Sequence, residues 1–160
     1  MLKKIIVVGS IAALLIPAVS FAADDYTTMK EMVSEMYTYV EYLEDEMSQE
    51  IVHLHADIIF DEPKPFTRPL YSGWTYAVTA YADWRVADLD IIVYKDVDGQ
   101  WVEIDRDEEE DNTPIVIVEP SSDGMYKIEI EVYSYNIDED SGEYYTAAHY
   151  GLIISHEYEY

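Results

Sequence analysis

From residue 74 to residue 155, apolar side chains recur at every second position in short runs separated by turn residues. The clearest run alternates Tyr126, Ile128, Ile130 and Val132 with Lys127, Glu129 and Glu131. Successive side chains of a β-strand point to opposite faces, so a period of two predicts strands with one buried and one exposed face. Asp98-Gly99 and Asp123-Gly124 lie between runs and are typical of tight turns joining antiparallel strands.

This regular spacing of strands and turns predicts a mainly β domain built as an antiparallel β-sandwich. The predicted strands cover residues 74–81, 88–94, 101–105, 114–119, 125–134 and 148–155. Residues 115–118 are apolar on both faces, which predicts a buried central strand. Alternation over 52–60 indicates one more strand, with a helical continuation as the alternative. We expect residues 61–65 to form a loop, because proline lacks the N–H that a strand ladder uses.

Ahead of the strands, residues 26–49 have the apolar spacing of an amphipathic helix. The apolar stripe consists of Met29, Met32, Val33, Met36, Tyr39, Val40, Leu43 and Met47. An isolated helix of this length is marginal in water, so we expect the stripe to pack on its own domain. A partner-binding face is the alternative. The chain is thereby divided into an N-terminal helical segment over 23–50 and a β-sandwich domain over 51–160.

The first 22 residues have the pattern of a secretory signal peptide. Lys3 and Lys4 precede an apolar run over 5–19, and Ser20 and Ala22 supply the small residues that signal peptidase requires. An apolar run of roughly 15 residues is shorter than the ~20 that span a bilayer, which favours cleavage over the alternative of an uncleaved anchor. We therefore expect an exported protein, periplasmic or extracellular, with no membrane span in its mature form.

The composition is strongly acidic. The full chain carries 9 Lys and Arg against 34 Asp and Glu, a net charge of −25, and loss of Lys3 and Lys4 with the signal peptide leaves about −27. Such a surface repels nucleic acid and anionic lipid, and it favours cations, basic partners or a saline medium that screens the charge. The chain has no cysteine, so its stability must come from packing or bound ions rather than disulfides.

A set of turn and strand residues over roughly 70–155 resembles the bacterial pre-peptidase C-terminal (PPC) domain family. The resemblance is carried by Gly73-x-x-Tyr76, the run Ala87-Asp88-Leu89-Asp90-Ile91-Ile92-Val93-Tyr94, Asp98-Gly99, Asp105, Pro114-x-Val116, Pro120 and Gly124-x-Tyr126-x-Ile128. It implies a jelly-roll-like β-sandwich on a secreted protein, often an accessory module beside a protease, and in some related domains binding of calcium or an extracellular polymer. Here only the helix and one strand precede the matching region, which departs from the appended-module arrangement.

Four aspartates form the candidate metal site. Asp88 and Asp90 share one side of a predicted strand, and Asp105 and Asp107 share a side near the end of another. If those strand ends meet, several carboxylate oxygens converge as calcium requires. A solvated acidic rim is the alternative interpretation of the same residues.

Two other residue types offer weaker sites. His53 and His55 share a strand face and form half of a zinc site that His149 or His156 would have to complete, with ordinary surface histidines as the alternative. Trp74, Trp84, Trp101 and sixteen tyrosines provide rings that could stack on sugars, although several occupy inward strand positions that indicate core packing.

No catalytic constellation is recognisable. The sequence has no Gly-x-Ser-x-Gly, no cysteine nucleophile and no His-Glu-x-x-His zinc motif, and a carboxylate pair cannot be singled out among 34 acids. We therefore expect a non-catalytic binding or accessory module for an extracellular or periplasmic protein or polysaccharide, with calcium as a candidate ligand. The alternative is a structural, salt-adapted acidic envelope protein without a specific small ligand.

Overall fold

A computed structural model of the chain describes residues 29–157. The predicted signal peptide over 1–22 and the predicted start of the helix lie outside these residues. Helix α1 spans Met29–Glu41 and continues as a π-helical turn over Tyr42–Glu46. The helix was predicted to end at residue 49 but ends earlier, because Ser48 adopts a left-handed conformation with φ of 52° and a strand follows immediately. Within residues 29–157, no helix has the length and apolar content needed to cross a membrane.

In the described part of the chain, eight strands follow the helix. They are β1 (Gln49–Phe60), β2 (Lys64–Leu70), β3 (Tyr76–Ala82), β4 (Val86–Val97), β5 (Gln100–Arg106), β6 (Ile115–Val118), β7 (Gly124–Tyr135) and β8 (Ala147–Glu157). Each of the six strands predicted from residue 74 onward is present. The alternating stretch over 52–60 lies within β1, so the helical alternative for that stretch is wrong.

The strands form two antiparallel sheets, in the orders β1-β8-β3-β6 and β2-β7-β4-β5. Strand pairs β1 with β8, β2 with β7, β3 with β6 and β4 with β5 place the first half of the chain against the second half in reverse order. This is the order of a jelly roll, in which two sheets pack face to face over one core. The predicted fold class, a mainly β jelly-roll-like antiparallel β-sandwich preceded by one amphipathic α-helix, is confirmed.

The core lies between the inner faces of the two sheets. On β7, Tyr126, Ile128 and Ile130 are buried there, as their alternation predicts. They meet apolar side chains of the opposite sheet, including Val78 of β3 and Leu152 of β8. All seven residues of β3 are buried, because the core covers one of its faces and the helix approaches the other.

Helix α1 packs on the outer face of the β1-β8-β3-β6 sheet, as expected from its apolar stripe. Met32, Met36, Tyr39 and Leu43 are buried there, in contact with Tyr81 of β3 and Ile153 of β8. Gly151 of β8 makes the close approach possible. A Cβ at this position would lie 2.8 Å from Met36 Sδ and 3.0 Å from the Tyr81 ring. The stripe is narrower than predicted, since Val33 remains exposed.

Strand β2 corrects the prediction of a loop over 61–65. The break is confined to Asp61, Glu62 and Pro63, and β2 begins at Lys64 with two prolines, Pro65 and Pro69, inside it. Because β2 is an edge strand that pairs only with β7, a residue without N–H can occupy it wherever the backbone faces away from the ladder.

Strand β6 corrects the prediction of a buried central strand at residues 115–118. It lies at the edge of its sheet and pairs only with β3. Val116 and Val118 enter the core, whereas Ile115 and Ile117 are half-buried on the other face. A run that is apolar on both faces therefore marks an edge strand here, and β8 and β3 are the central strands of that sheet.

The turn between β3 and β4 is held by a buried charge. The Asp83 side chain has no exposed surface, and it accepts hydrogen bonds from the guanidinium of Arg85, with Nε at 2.9 Å from Oδ1. The backbone N–H of His149 on β8 donates to Asp83 Oδ2 at 2.9 Å. The pair thus fixes the turn against the neighbouring strand.

Candidate functional site

Two of the predicted site residues lie on the outer face of the second sheet. On β4, Leu89 and Ile91 point into the core, and alternation directs Asp88 and Asp90 to the opposite side. This confirms that the two carboxylates share one face of one strand. No helix covers that face within residues 29–157, since α1 packs on the other sheet.

The neighbouring strand adds a third carboxylate. In the β4–β7 register, Asp90 lies directly opposite Glu131. Burial of the carboxyl, followed by the charges of Asp88, Glu131 and Asp107, raises the pKa of Asp90 above its usual range. Like charges directly opposite each other destabilise an antiparallel pair, so the sheet holds Asp90 in an unfavourable environment when it is ionised.

The loop over 107–111, Asp107-Glu108-Glu109-Glu110-Asp111, runs beside β4. The Asp107 N–H donates to the Ile91 carbonyl at 2.9 Å, and the Leu89 N–H donates to the Asp111 carbonyl at 2.8 Å. These two bonds hold the acidic loop along the first half of the strand. We call Asp88, Asp90, Glu131 and the loop 107–111 the acidic face.

Asp88 is the most enclosed member of the acidic face. Asp88 is only 9% exposed, and its Oδ1 atom is buried without a hydrogen-bond partner in the described part of the chain. Burial, then the charges of Glu110, Asp111 and Asp107, raises the pKa of this carboxyl. A buried carboxylate oxygen without a partner is unusual and costly, because nothing replaces the water it has lost.

Asp105 stands apart from the other three predicted ligands. It lies on β5 opposite Val93, its side chain is exposed, and its Oδ1 accepts the N–H of Arg106 at 2.9 Å. Asp107 is close to the β4 aspartates, but its two oxygens accept the N–H groups of Glu109 and Ile115 at 3.0 and 3.1 Å. The structure therefore brings Asp88, Asp90 and Asp107 into one region and leaves Asp105 outside it.

Sequence reasoning missed five members of the acidic face: Glu108, Glu109, Glu110, Asp111 and Glu131. The acidic run was visible in the sequence, and Glu131 was predicted to point outward from its strand. What the sequence did not contain was the register that sets Glu131 opposite Asp90. Across residues 29–157, no three His, Asp or Glu side chains converge closely enough to enclose a metal ion, so the calcium site stays a prediction.

The histidines are not gathered into one site. His53 and His55 are stacked on β1 with ring centroids 6.2 Å apart, and His53 also stacks on Phe66 of β2 at 4.1 Å. Burial, with smaller effects of Arg68 and His55, lowers the pKa of His53. His149 and His156 are opposite Ile58 and Glu50, several rungs from the stacked pair. His53 and His55 therefore lie side by side on β1, but the register does not bring His149 or His156 to them.

The tryptophans divide between packing and exposure. Trp74 packs against the core edge and His156, with ring centroids 4.3 Å apart, and Trp84 packs edge-on against Tyr145 at 5.0 Å. Trp101 on β5 is 43% exposed. Within residues 29–157, the exposed aromatic residues occupy separate elements, namely Tyr37 on α1, Phe60 at the end of β1, Tyr71 before β3, Trp101 on β5, Tyr133 on β7 and Tyr144 before β8.

No family model matches the chain, and a search of curated proteins finds no match.

Proposed function

We propose that this chain is an exported, non-catalytic binding or accessory module, PPC-like in its sandwich, whose acidic face takes positively charged ligands, with calcium as the small ion and a basic protein as the macromolecule. The export part rests on the first 22 residues. The fold is the one that the PPC resemblance implies, which supports that assignment without establishing it.

The pairing of Asp90 with Glu131 across β4 and β7 carries the proposal. Opposed like charges cost a β-sheet stability, and Asp88 adds a buried unpaired oxygen next to them. A cation bound at this face would remove both penalties. The charge of Arg106 partly offsets the effect on Asp90, but the pKa of that carboxyl is still raised. The face is therefore suited to binding a further cation.

Calcium suits the Asp88 end of the acidic face. Its ligands are oxygens, its coordination number is six to eight, and its shell accepts carboxylates, backbone carbonyls and water. Asp88 offers the free oxygen, and Asp107, Glu110 and Asp111 are near enough to shift its pKa. Asp105 lies outside this group, so we remove it from the proposed ligands.

A second candidate function is a structural, salt-adapted envelope protein. The observation that favours it is that acids are also exposed far from the acidic face, at Glu41, Glu44, Asp45 and Glu46 near the end of the helix. In that case the charge improves solubility in a saline medium, and no ligand is specific. Sodium chloride would then stabilise the protein as well as calcium does.

Thermal unfolding with added calcium chloride tests the proposal, against sodium chloride at matched ionic strength. A ligand that binds only the native state stabilises it by RT ln(1 + [L]/Kd), about 2.7 kcal/mol at a hundredfold excess over Kd. The informative comparison is Asp90→Asn against Asp45→Asn. Each removes one negative charge, but Asp45 is exposed on the helical side of the molecule.

Calcium should raise the melting temperature of the wild type and of Asp45→Asn more than matched sodium chloride does, and Asp90→Asn should lose most of that excess. Equal stabilisation by both salts would remove calcium from the proposal and favour the salt-adapted alternative. An undiminished calcium response in Asp90→Asn would place the ion elsewhere.

A further inference from the structure

The two sheets have four edges, and three of them are protected. Strand β2 contains Pro65 and Pro69, and β6 is four residues long with Pro114 and Pro120 on either side. Both short edge strands and prolines prevent another strand from pairing. Additional pairing at these edges is therefore unfavourable.

The third edge, β1, faces the side chains of β2. Arg68 Nη1 donates to the Val52 carbonyl at 3.0 Å, the rings of His53 and Phe66 stack, and Lys64 Nζ lies 3.7 Å from Asp57 Oδ2. These contacts occupy one carbonyl and two side chains along β1. The strand is thus partly closed by its sequence neighbour.

The fourth edge, β5, has none of these protections. All seven of its residues are exposed, none is proline, and among residues 29–157 the strand pairs only with β4. It follows β4 through a two-residue turn in which Asp98 and Gly99 have φ of 55° and 81°, the type I′ geometry of a tight hairpin. In such a hairpin the residues flanking the turn exchange hydrogen bonds, and alternation then directs the N–H groups of Trp101 and Glu103 away from β4.

The side chains of β5 are suited to contact with another chain. Trp101, Val102 and Ile104 are 43%, 46% and 45% exposed, although each is apolar. Trp101 lies opposite Asp96 and Val102 opposite Lys95, so apolar surface is present on both faces of the strand. An added strand would cover these side chains in addition to pairing with the backbone.

The charge around β5 selects the chemistry of the partner. From residue 95 to residue 111 there are nine acidic residues, and the only basic ones in that stretch are Lys95 and Arg106. The Arg106 guanidinium is already paired with Glu103, with Nη2 at 2.8 Å from Oε2. A second copy of this chain would bring like charges together along the edge, whereas a basic segment would be attracted.

We propose that β5 is a docking edge for an extended, basic segment of a partner protein, which adds to the β2-β7-β4-β5 sheet as a fifth strand. The proposal rests on the binding role proposed above, and it names the partner class and a surface next to the acidic face. Backbone pairing provides the attachment, and the surrounding carboxylates provide selection for lysine and arginine.

The probe is the soluble peptide Lys-Val-Lys-Val-Lys-Val-Lys-Val, with Glu-Val-Glu-Val-Glu-Val-Glu-Val as the charge control. The readout is amide hydrogen exchange of the whole mature protein, followed residue by residue by NMR. The lysine peptide should slow exchange of the Trp101 and Glu103 N–H groups by about tenfold or more, because they become hydrogen-bonded. The glutamate peptide should leave both amides unchanged.

Two variants at one position separate charge from backbone pairing. Glu103→Gln removes a charge and keeps the N–H, whereas Glu103→Pro removes both. The glutamine variant should still bind the lysine peptide, and the proline variant should bind it at least about tenfold more weakly than the glutamine variant. Thermal unfolding and the NMR spectrum of each variant without peptide establish that the variant is folded. The exchange measurement on the wild-type protein needs neither variant.

Several outcomes would overturn the proposal. Binding of the lysine peptide without slower exchange at Trp101 and Glu103 would mean adsorption to acidic surface elsewhere, and absence of binding would exclude the edge altogether. Protection of the same amides that rises with protein concentration alone would mean that a second copy occupies β5. Asp90→Asn should leave the peptide result intact while it weakens the calcium response, so this proposal and the calcium proposal can fail separately.

Discussion

The carboxylate of Asp83 is paired with the guanidinium of Arg85 at the turn between β3 and β4, where the aspartate is fully buried. Its Oδ2 atom also accepts the backbone N–H of His149 on β8. A paired charge in the interior contributes little net stability, but one left without its partner is strongly destabilising. The Arg85 side chain is therefore required to keep the Asp83 carboxylate in place.

We expect Arg85→Met to lower the free energy of unfolding by about 3 kcal/mol or more, because it takes the guanidinium away from the buried Asp83 carboxylate and leaves the backbone N–H of His149 and its ring Nδ1, 3.3 Å from Oδ2, as the remaining contacts. Arg106→Met is the matched control. It also breaks a two-contact pair, with Glu103, but that pair is exposed to solvent, so its loss should change stability far less than the loss of the buried pair. Urea unfolding of both variants measures the loss in the free energy of unfolding. Equal losses would contradict the structural role of the buried pair.

The docking of helix α1 gives a second prediction. Met36→Asp places a charge in the buried contact with β8, and it should cost several kcal/mol, on the order of a severe core mutation. Val33→Asp introduces the same side chain on the exposed side of the same helix and should change stability by less than about 0.5 kcal/mol. A similar, small effect of both substitutions in thermal unfolding would mean that the helix does not pack on the sheet.

Gly151 gives a third prediction about the same contact. Gly151→Ala should destabilise the protein by roughly 1–3 kcal/mol, because its methyl group would overlap Met36 Sδ and crowd the Tyr81 ring. In a Met36→Ala background the sulfur is absent, so the same glycine substitution should cost less. A double-mutant cycle measures this coupling. Strict additivity would show that the two residues are not in contact.

The raised pKa of Asp90 gives a pH dependence with a defined sign. An acid whose pKa is higher in the folded state than in the unfolded state destabilises the folded state when it is ionised. This destabilisation is complete at pH values above the folded-state pKa and absent at pH values below the unfolded-state pKa. Asp90→Asn should therefore stabilise the calcium-free protein at about pH 7, by roughly 0.2–1 kcal/mol for an opposed like-charge pair. The gain should disappear as the pH falls below about 3.9.

Thermal unfolding of Asp90→Asn across this pH range checks the prediction, with Asp45→Asn as the control for simple loss of charge. If the stability gain of Asp90→Asn is the same at the acidic end of the range, the gain does not come from the titration of Asp90. A gain of equal size in Asp45→Asn would attribute it to net charge alone.

Export gives the last prediction. Expressed in a bacterial host with its own first residues, the protein should begin at Ala23, because Ser20 and Ala22 fit the −3 and −1 pockets of signal peptidase. N-terminal sequencing of protein from the periplasm or the medium measures this directly. Recovery of protein that retains Met1 would contradict the export proposal.

The sequence predicted those parts of the fold that depend on local alternation. The strand containing Tyr126 and Ile128 is buried on the side that the pattern indicates, and the same rule placed Asp88 and Asp90 on one outer face. Strand β2 was missed because Pro65 excludes pairing only on one side of a strand, and the sequence does not show which strands are at an edge.

The candidate site was predicted only where it depends on a single strand. The placement of Glu131 opposite Asp90 is set by the register of β7 against β4, which includes irregular pairing near Asp88. Asp105 was included because it is two residues from Asp107, but the strand ends at Arg106 and the chain then turns along β4. Changes in chain direction and register are tertiary properties that a period of two does not encode.

The pairing of the first strand with the last has a consequence for how the protein is made. Strand β1 finds its partner, β8, only at the end of the chain, and β8 is also the strand that joins β1 to β3. Contacts so distant in sequence close slowly, since a long loop must be ordered before the pairing contributes any stability. During synthesis, the β1-β8-β3-β6 sheet cannot be completed until residues 147–157 are available, whereas every strand of the β2-β7-β4-β5 sheet has been made by residue 135.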